Sequence, residues 1–188
     1  ISNKNIILFM FDVVQVVVGR TGKIYCHEHF DIKPDIFTLA KAIGGGLPVG
    51  AVVASPKVAD FLTPGSHGTT MGGNPLAMAA GMASFKQINT KSFLSNVTSK
   101  GNYFLKELKK LSTNNKIKEV RGLGLILAIE FFSSKLAKKF ATLCLNKGLL
   151  VLLTEKVNIR ILPPLNVKKS EIDQSIKIFK SSLEDLNV

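Results

Sequence analysis

Ile6-Ile7-Leu8-Phe9-Met10-Phe11-Asp12 is the stretch on which the fold turns. It is a short, continuous apolar run, rich in β-branched and aromatic residues, and it stops at a charge. That length and content fit a strand better than a helix. A strand with no polar residue on either face is one buried on both, as in a parallel sheet covered by helices. The run therefore predicts an α/β fold. It also places Asp12 at the C-terminal end of the strand, where open α/β sheets bind their ligands.

The segments downstream agree with that start. Residues 34–39 form a second strand-like run, followed by Lys41 and then by Gly44-Gly45-Gly46. Residues 49–54 are a third, and Pro56 opens a short helix over 57–62. Residues 63–74 are rich in Gly, Ser, Thr and His and read as a loop. From Pro75 to Leu111 the apolar spacing is helical, as one long helix or as two with a break near Asn89. After that the character changes. Residues 120–130 suggest a glycine-bent strand pair. Residues 134–147 form an amphipathic helix with Gly148 as its C-cap. Residues 149–153 and 158–162 are two short strands. Ser170-Glu171-Ile172-Asp173 resembles a helix N-terminus, and Ile172, Ile176, Phe179 and Leu183 line one face of the helix it would open. The expected organisation is part of a large α/β unit over 1–85, a linking helix over 86–111 and a small α+β domain over 112–188.

Composition excludes several classes. Of 188 residues, 46% are hydrophobic and 20% charged, so a core can form and disorder is a poor description. No stretch approaches 18 uncharged apolar residues, so no membrane span is expected. The net charge of +12 invites a nucleic-acid partner. Yet the basic residues are 22 Lys and only three Arg, and the lysines are scattered. Nucleic-acid surfaces favour Arg, so the excess reads as a solvated surface and no nucleic-acid partner is expected. Cys26 and Cys144 make no disulfide framework, which points to a reducing, cytoplasmic setting. Cys26-His27-Glu28-His29 lacks a second ligand pair at a usual spacing, so no metal is expected.

Three clusters carry chemistry: Asp12 with Gln15, Lys41 before three glycines, and Thr69-Thr70 before Gly72-Gly73-Asn74-Pro75. An Asp at a strand end can simply cap a turn. A Lys between Ala40 and Ala42, beside an apolar strand, is harder to dismiss. If buried, its ammonium is disfavoured and it becomes a nucleophile toward carbonyl carbon. Glycines beside it allow close approach of a flat ligand.

The order of these clusters is informative. Thr38-Leu39-Ala40-Lys41-Ala42-Ile43-Gly44-Gly45-Gly46 precedes His67-Gly68-Thr69-Thr70-Met71-Gly72-Gly73-Asn74-Pro75-Leu76-Ala77. Val120-Arg121-Gly122-Leu123-Gly124 and Asn158-Ile159-Arg160-Ile161-Leu162-Pro163-Pro164-Leu165 follow. Together they strongly resemble the class III aminotransferases, fold-type-I enzymes that use pyridoxal 5'-phosphate. The wording is closest to members that transfer an amino group from N-acetylornithine to 2-oxoglutarate in arginine biosynthesis. Ornithine, succinyl-diaminopimelate and 4-aminobutyrate donors stay open, as does a non-catalytic remnant.

The resemblance implies roles residue by residue. Lys41 matches the lysine that forms a Schiff base with the cofactor and later shuttles the α-proton. Asp12 matches the carboxylate facing the pyridine nitrogen, and Gln15 the residue near the phenolic oxygen. Thr70 matches a threonine that binds the cofactor phosphate of the other subunit, which implies a homodimer with shared sites. Arg160 matches an arginine that receives a substrate carboxylate. Arg20 and Arg121 match the pattern with structural roles. The family usually has Glu, Thr and Gly where this chain has Val13, Val16 and Val17, and a valine at 17 has no easy access to positive φ. The family is also roughly twice this length. The expectation is that this chain alone binds cofactor weakly and does not turn over.

Overall fold

The computed structural model describes residues 7–113 and 115–186; Ile6, the first residue of the opening run, lies outside them. The chain divides into two compact units, Ile1–Leu94 and Ser95–Val188.

The first unit is built on a three-stranded sheet of order β1 (Met10–Asp12), β2 (Ile36–Leu39) and β3 (Ala51–Ala54). β1 runs parallel to β2, with Met10 beside Ile36 and Asp12 beside Thr38. β3 pairs antiparallel with β2. The parallel pair is the element on which the α/β expectation depended. Burial of β1 on both faces is not found: Met10 is 59% exposed and Phe9 37%. Helices, not neighbouring strands, cover a strand's faces, and among the described residues β1 is an edge strand without close helix packing. The short helix after Pro56 is α1 (Pro56–Ala59). The segment 63–74 has no helix or strand.

The core of this unit is Val13, Val17, Val18, Ile24 and Leu39, with Val16, Phe11, Tyr25 and Phe37 packed against it. Two of the three valines that depart from the family pattern are thus buried core residues, and Val16 packs beside them. The turn does not ask valine for positive φ at 17. Its left-handed positions fall on Gly19 (φ 74°) and Gly22 (φ 87°) instead. Apolar burial stabilises these valines where they stand.

α2 (Pro75–Ile88) starts on an Asn74 cap, whose side chain accepts from the Ala77 amide at 2.9 Å. α2 ends at Asn89, and α3 (Lys91–Leu111) begins two residues later. The break expected near Asn89 is there.

The second unit is an antiparallel sheet of order β4-β5-β7-β6, comprising β4 (Ile117–Leu123), β5 (Ile126–Phe131), β6 (Leu152–Thr154) and β7 (Asn158–Ile161). The strand pair bends at Gly124, the first residue of a two-residue loop, where φ is 57° and a primed hairpin turn wants a positive value. Leu127, Ile129 and Phe131 of β5 are buried, and Ala128 and Glu130 alternate to the other face. The buried face is covered by α4 (Ser134–Asn146), and α5 (Lys169–Glu184) packs against α4. Phe104, Phe131, Phe140 and Phe179 form its aromatic centre, with successive ring centroids 5.0–6.5 Å apart. The start of α5 differs slightly from expectation. Lys168, not Ser170, is the cap, and its amide donates to Glu171 Oε2 at 2.7 Å.

Candidate active site

Asp12 is the last residue of β1 and Leu39 the last of β2, so the parallel pair delivers both strand ends to one edge. Asp12 Oδ1 accepts from Thr38 Oγ1 at 2.8 Å and from the Val14 amide at 3.4 Å. These donors orient the carboxylate and leave it exposed. Lys41 lies two residues past the end of β2 and opens a 3₁₀ turn, Lys41–Gly44. It is one of the few non-glycine residues at positive φ, 54°. That conformation costs on the order of 1 kcal/mol and clusters at functional positions.

One of the glycines after Lys41 has a packing role. A Cβ on Gly45 would lie 2.7 Å from the Ala80 carbonyl oxygen, and one on Gly81 2.6 Å from that of Ile43. Gly45 and Gly81 let the lysine turn lie directly on α2. Burial of Lys41 is also not found. It is exposed, even though α2 packs closely on its turn.

The other candidates sit on separate elements. Gln15 is exposed in the turn after β1, and Thr70 in the loop before α2. That loop is held from within, by the Gly72 amide donating to Thr69 Oγ1 at 3.1 Å and Asn74 Nδ2 donating to the Met71 carbonyl at 3.1 Å. The quartet Cys26–His29 forms a 3₁₀ turn. There His27 stacks on Tyr25 with centroids 5.5 Å apart, and His29 Nε2 lies 3.0 Å from Thr21 Oγ1.

Arg160 lies in the second unit, on β7, lining a cleft of about 440 Å³ with Arg121, Thr154, Glu155 and Asn158. Its Nε is buried and has no hydrogen-bond partner. Beside it runs a polar chain that the sequence did not announce. Arg121 Nη1 donates to Glu130 Oε2 at 2.7 Å and to Glu119 Oε2 at 2.9 Å, and Nη2 donates to Asn158 Oδ1 at 3.0 Å. Burial works against the Arg121 charge, but Glu130 and Glu119 outweigh it and hold the guanidinium above its ordinary value. Hydrogen bonds from Lys118 and then Arg121 hold the Glu130 carboxyl below the usual carboxylate range.

The sequence profile described as Aminotransferase class-III matches residues 1–183. The chain belongs to the class-III aminotransferase family. Among curated relatives, acetylornithine aminotransferase of Lactococcus lactis is 44% identical over 178 residues, which is 94% of this chain and 47% of that protein. Acetylornithine aminotransferase of Methanocaldococcus jannaschii is 47% identical over 178 residues, 93% of this chain and 44% of that one. Among solved structures, an ornithine aminotransferase from Plasmodium yoelii matches with a TM-score of 0.92 at 33% identity, over 99% of this chain and 50% of its own. An acetylornithine aminotransferase from Elizabethkingia anophelis matches at 0.90 and 35%, over 98% and 47%. The chain spans about half the length of the relatives it matches. Within this class-III chain, Thr38 and the Arg121 chain are what residue-by-residue reasoning missed. The one available signal was the register that sets Thr38 beside Asp12, and register is not written in either strand alone.

Proposed function

We propose that this chain supplies the lysine-bearing half of an aminotransferase that moves an amino group from N-acetylornithine to 2-oxoglutarate, with pyridoxal phosphate as cofactor. The observation that carries it is an amine and a carboxylate, Lys41 and Asp12, set at the C-terminal ends of neighbouring parallel strands. That donor set fits the cofactor, whose aldehyde needs an amine and whose ring nitrogen needs an anion. When bound, pyridoxal phosphate supplies an electron-accepting ring that stabilises negative charge at the substrate α-carbon.

The chain's own residues divide the remaining work. Asp12, oriented by Thr38, holds the proton on the ring nitrogen. Lys41 Nζ anchors the cofactor and moves the α-proton. Gln15 hydrogen-bonds at the phenolic oxygen. Thr70 binds the phosphate held by a second copy, which makes the working unit a homodimer. Exposed Phe61, Met71 and Leu76, which flank Thr70 in sequence, are the kind of apolar surface such an interface covers. Arg160 receives a substrate carboxylate through its planar fork. On this assignment residues 1–85 are the C-terminal part of the large domain, 86–111 the link and 112–188 the small domain, and the link holds the end of α2 and all of α3.

Adding pyridoxal phosphate to the chain, then borohydride, and mapping the fixed adduct by mass spectrometry tests the proposal. Attachment at Lys41, lost in Lys41→Ala, is expected. Attachment scattered over the 22 lysines with no preference for Lys41 overturns it. The match to an ornithine aminotransferase structure supports ornithine as a second donor. Competition between the two donors in an enzyme that holds both halves decides between them.

A further inference from the structure

One face of the second unit's sheet brings two guanidinium groups and three carboxylates together. Directly paired residues of an antiparallel ladder point to the same face. Arg121 is paired with Ala128 and Ala128 with Arg160, while Glu119 is paired with Glu130 and Glu130 with Asn158. Glu130 is therefore the diagonal neighbour of Arg160 across β5 and β7, within reach of two long side chains. Left to itself, such a glutamate would neutralise the arginine.

It is otherwise engaged. Glu130 Oε2 accepts from Arg121 at 2.7 Å, and its Oε1 accepts from Lys118 Nζ at 2.5 Å. Glu119 is held by the same Arg121 Nη1 at 2.9 Å. Glu155 accepts from Asn158 Nδ2 at 3.0 Å, and Asn158 in turn accepts from Arg121 Nη2 at 3.0 Å. Among the described residues no carboxylate forms an ion pair with Arg160, whose Nε is buried and unpartnered at the cleft. Each acid within reach has been given another cation or amide.

We propose that Arg121, braced by Asn158, is a positioning residue for substrate binding: it sequesters Glu119 and Glu130 so that Arg160 keeps a free guanidinium for the carboxylate of an amino or oxo acid. This rests on Arg160 being the substrate-carboxylate receptor and adds the means by which it stays available. A surface ion pair that did no more than add its small share of stability would leave a neighbour's ligand affinity unchanged. The sequestering role predicts such an effect, and predicts that removing the acid reverses it.

The test uses the full chain, labelled with ¹⁵N, and glutarate as the dicarboxylate probe. With three arginines in the sequence, the Arg160 Nε–H resonance is assigned by its loss in Arg160→Lys. Glutarate is expected to shift that resonance saturably, and uncharged glutaramide to leave it in place. Arg121→Gln leaves Glu130 Oε1 with Lys118 but frees Oε2 to pair with Arg160, and weakens glutarate binding about tenfold, the worth of one charge-assisted pair. Arg121→Gln with Glu130→Gln restores affinity to within about twofold of the original. If Arg121→Gln does not fold, Arg121→Lys carries the comparison. A single ammonium cannot span both acids and Asn158, so affinity falls about threefold and Glu130→Gln in that background recovers it. Unchanged affinity in the single variant, or no recovery in the double, overturns the sequestering role and leaves Arg160 as receptor. An Arg160 resonance that ignores glutarate in the unaltered chain overturns both.

Discussion

Asp12 shows what one neighbouring residue can do. An exposed carboxylate on a strand end samples several rotamers, and a second hydrogen-bond donor at 2.8 Å narrows them. Thr38→Val removes that donor and keeps the shape. It is expected to weaken pyridoxal phosphate binding about fivefold, from the loss of about 1 kcal/mol. Thr38→Ser, which keeps the hydroxyl, should restore it. Titration followed by absorbance checks both, and equal affinities for Val and Ser would remove Thr38 from the site. The two cysteines differ for a related reason. Burial pushes the Cys144 thiol up to about 11, against the opposing pull of Ser182 and Lys147, and the residue has no exposed surface. Cys26 is also raised by burial but is half-buried. Maleimide at neutral pH should therefore label Cys26 first, and Cys144 only when the chain is unfolded. Mass spectrometry of partly labelled protein reads the order.

At the scale of elements, packing explains what the sequence showed and what it hid. The break at Asn89, the loop over 63–74 and the hairpin at Gly124 were legible because each depends on local chemistry: a cap, a run of turn residues, a glycine at positive φ. The exposure of β1 was not legible, because six apolar residues look the same whether or not a helix lies over each face of their strand. The packing role of Gly45 was hidden for the same reason. Its partner, Ala80, and the matching approach of Gly81 to Ile43 become visible only once α2 is placed. Gly101 is a similar case. A Cβ there would collide with the backbone of Gly124, so α3 and the β4–β5 turn touch main chain to main chain. Gly101→Ala should raise helix propensity and still destabilise the chain, because the clash is with backbone that cannot rotate away. Phe140→Ala, which empties the centre of the aromatic stack, should cost about 3–5 kcal/mol. Urea unfolding of both variants measures these, and a Gly101→Ala chain as stable as the original would show that the turn can shift.

The molecule as a whole carries a charge of +12, with 13 acids set against 25 basic residues. Two independent effects then weaken it in acid. The first is linkage. Hydrogen bonds from Lys118 and Arg121 hold Glu130 below the usual carboxylate range, and those from Tyr103 and Lys169 do the same for Asp173. A carboxyl whose folded value lies below its unfolded one contributes stability that is complete above the unfolded value, about 4. That contribution is lost as pH falls through the folded value. The second is repulsion, since protonating the acids leaves the basic residues unopposed. Salt separates the two, because screening reduces long-range repulsion and affects short hydrogen-bonded pairs much less. The melting temperature should therefore fall between about pH 5 and pH 2, and added salt should recover only part of the fall. Glu130→Gln with Asp173→Asn should start lower at neutral pH and flatten the part that salt does not recover. A decline that salt abolishes entirely, with the same slope in the double variant, would mean that these two networks hold nothing together and that net charge alone sets the acid limit.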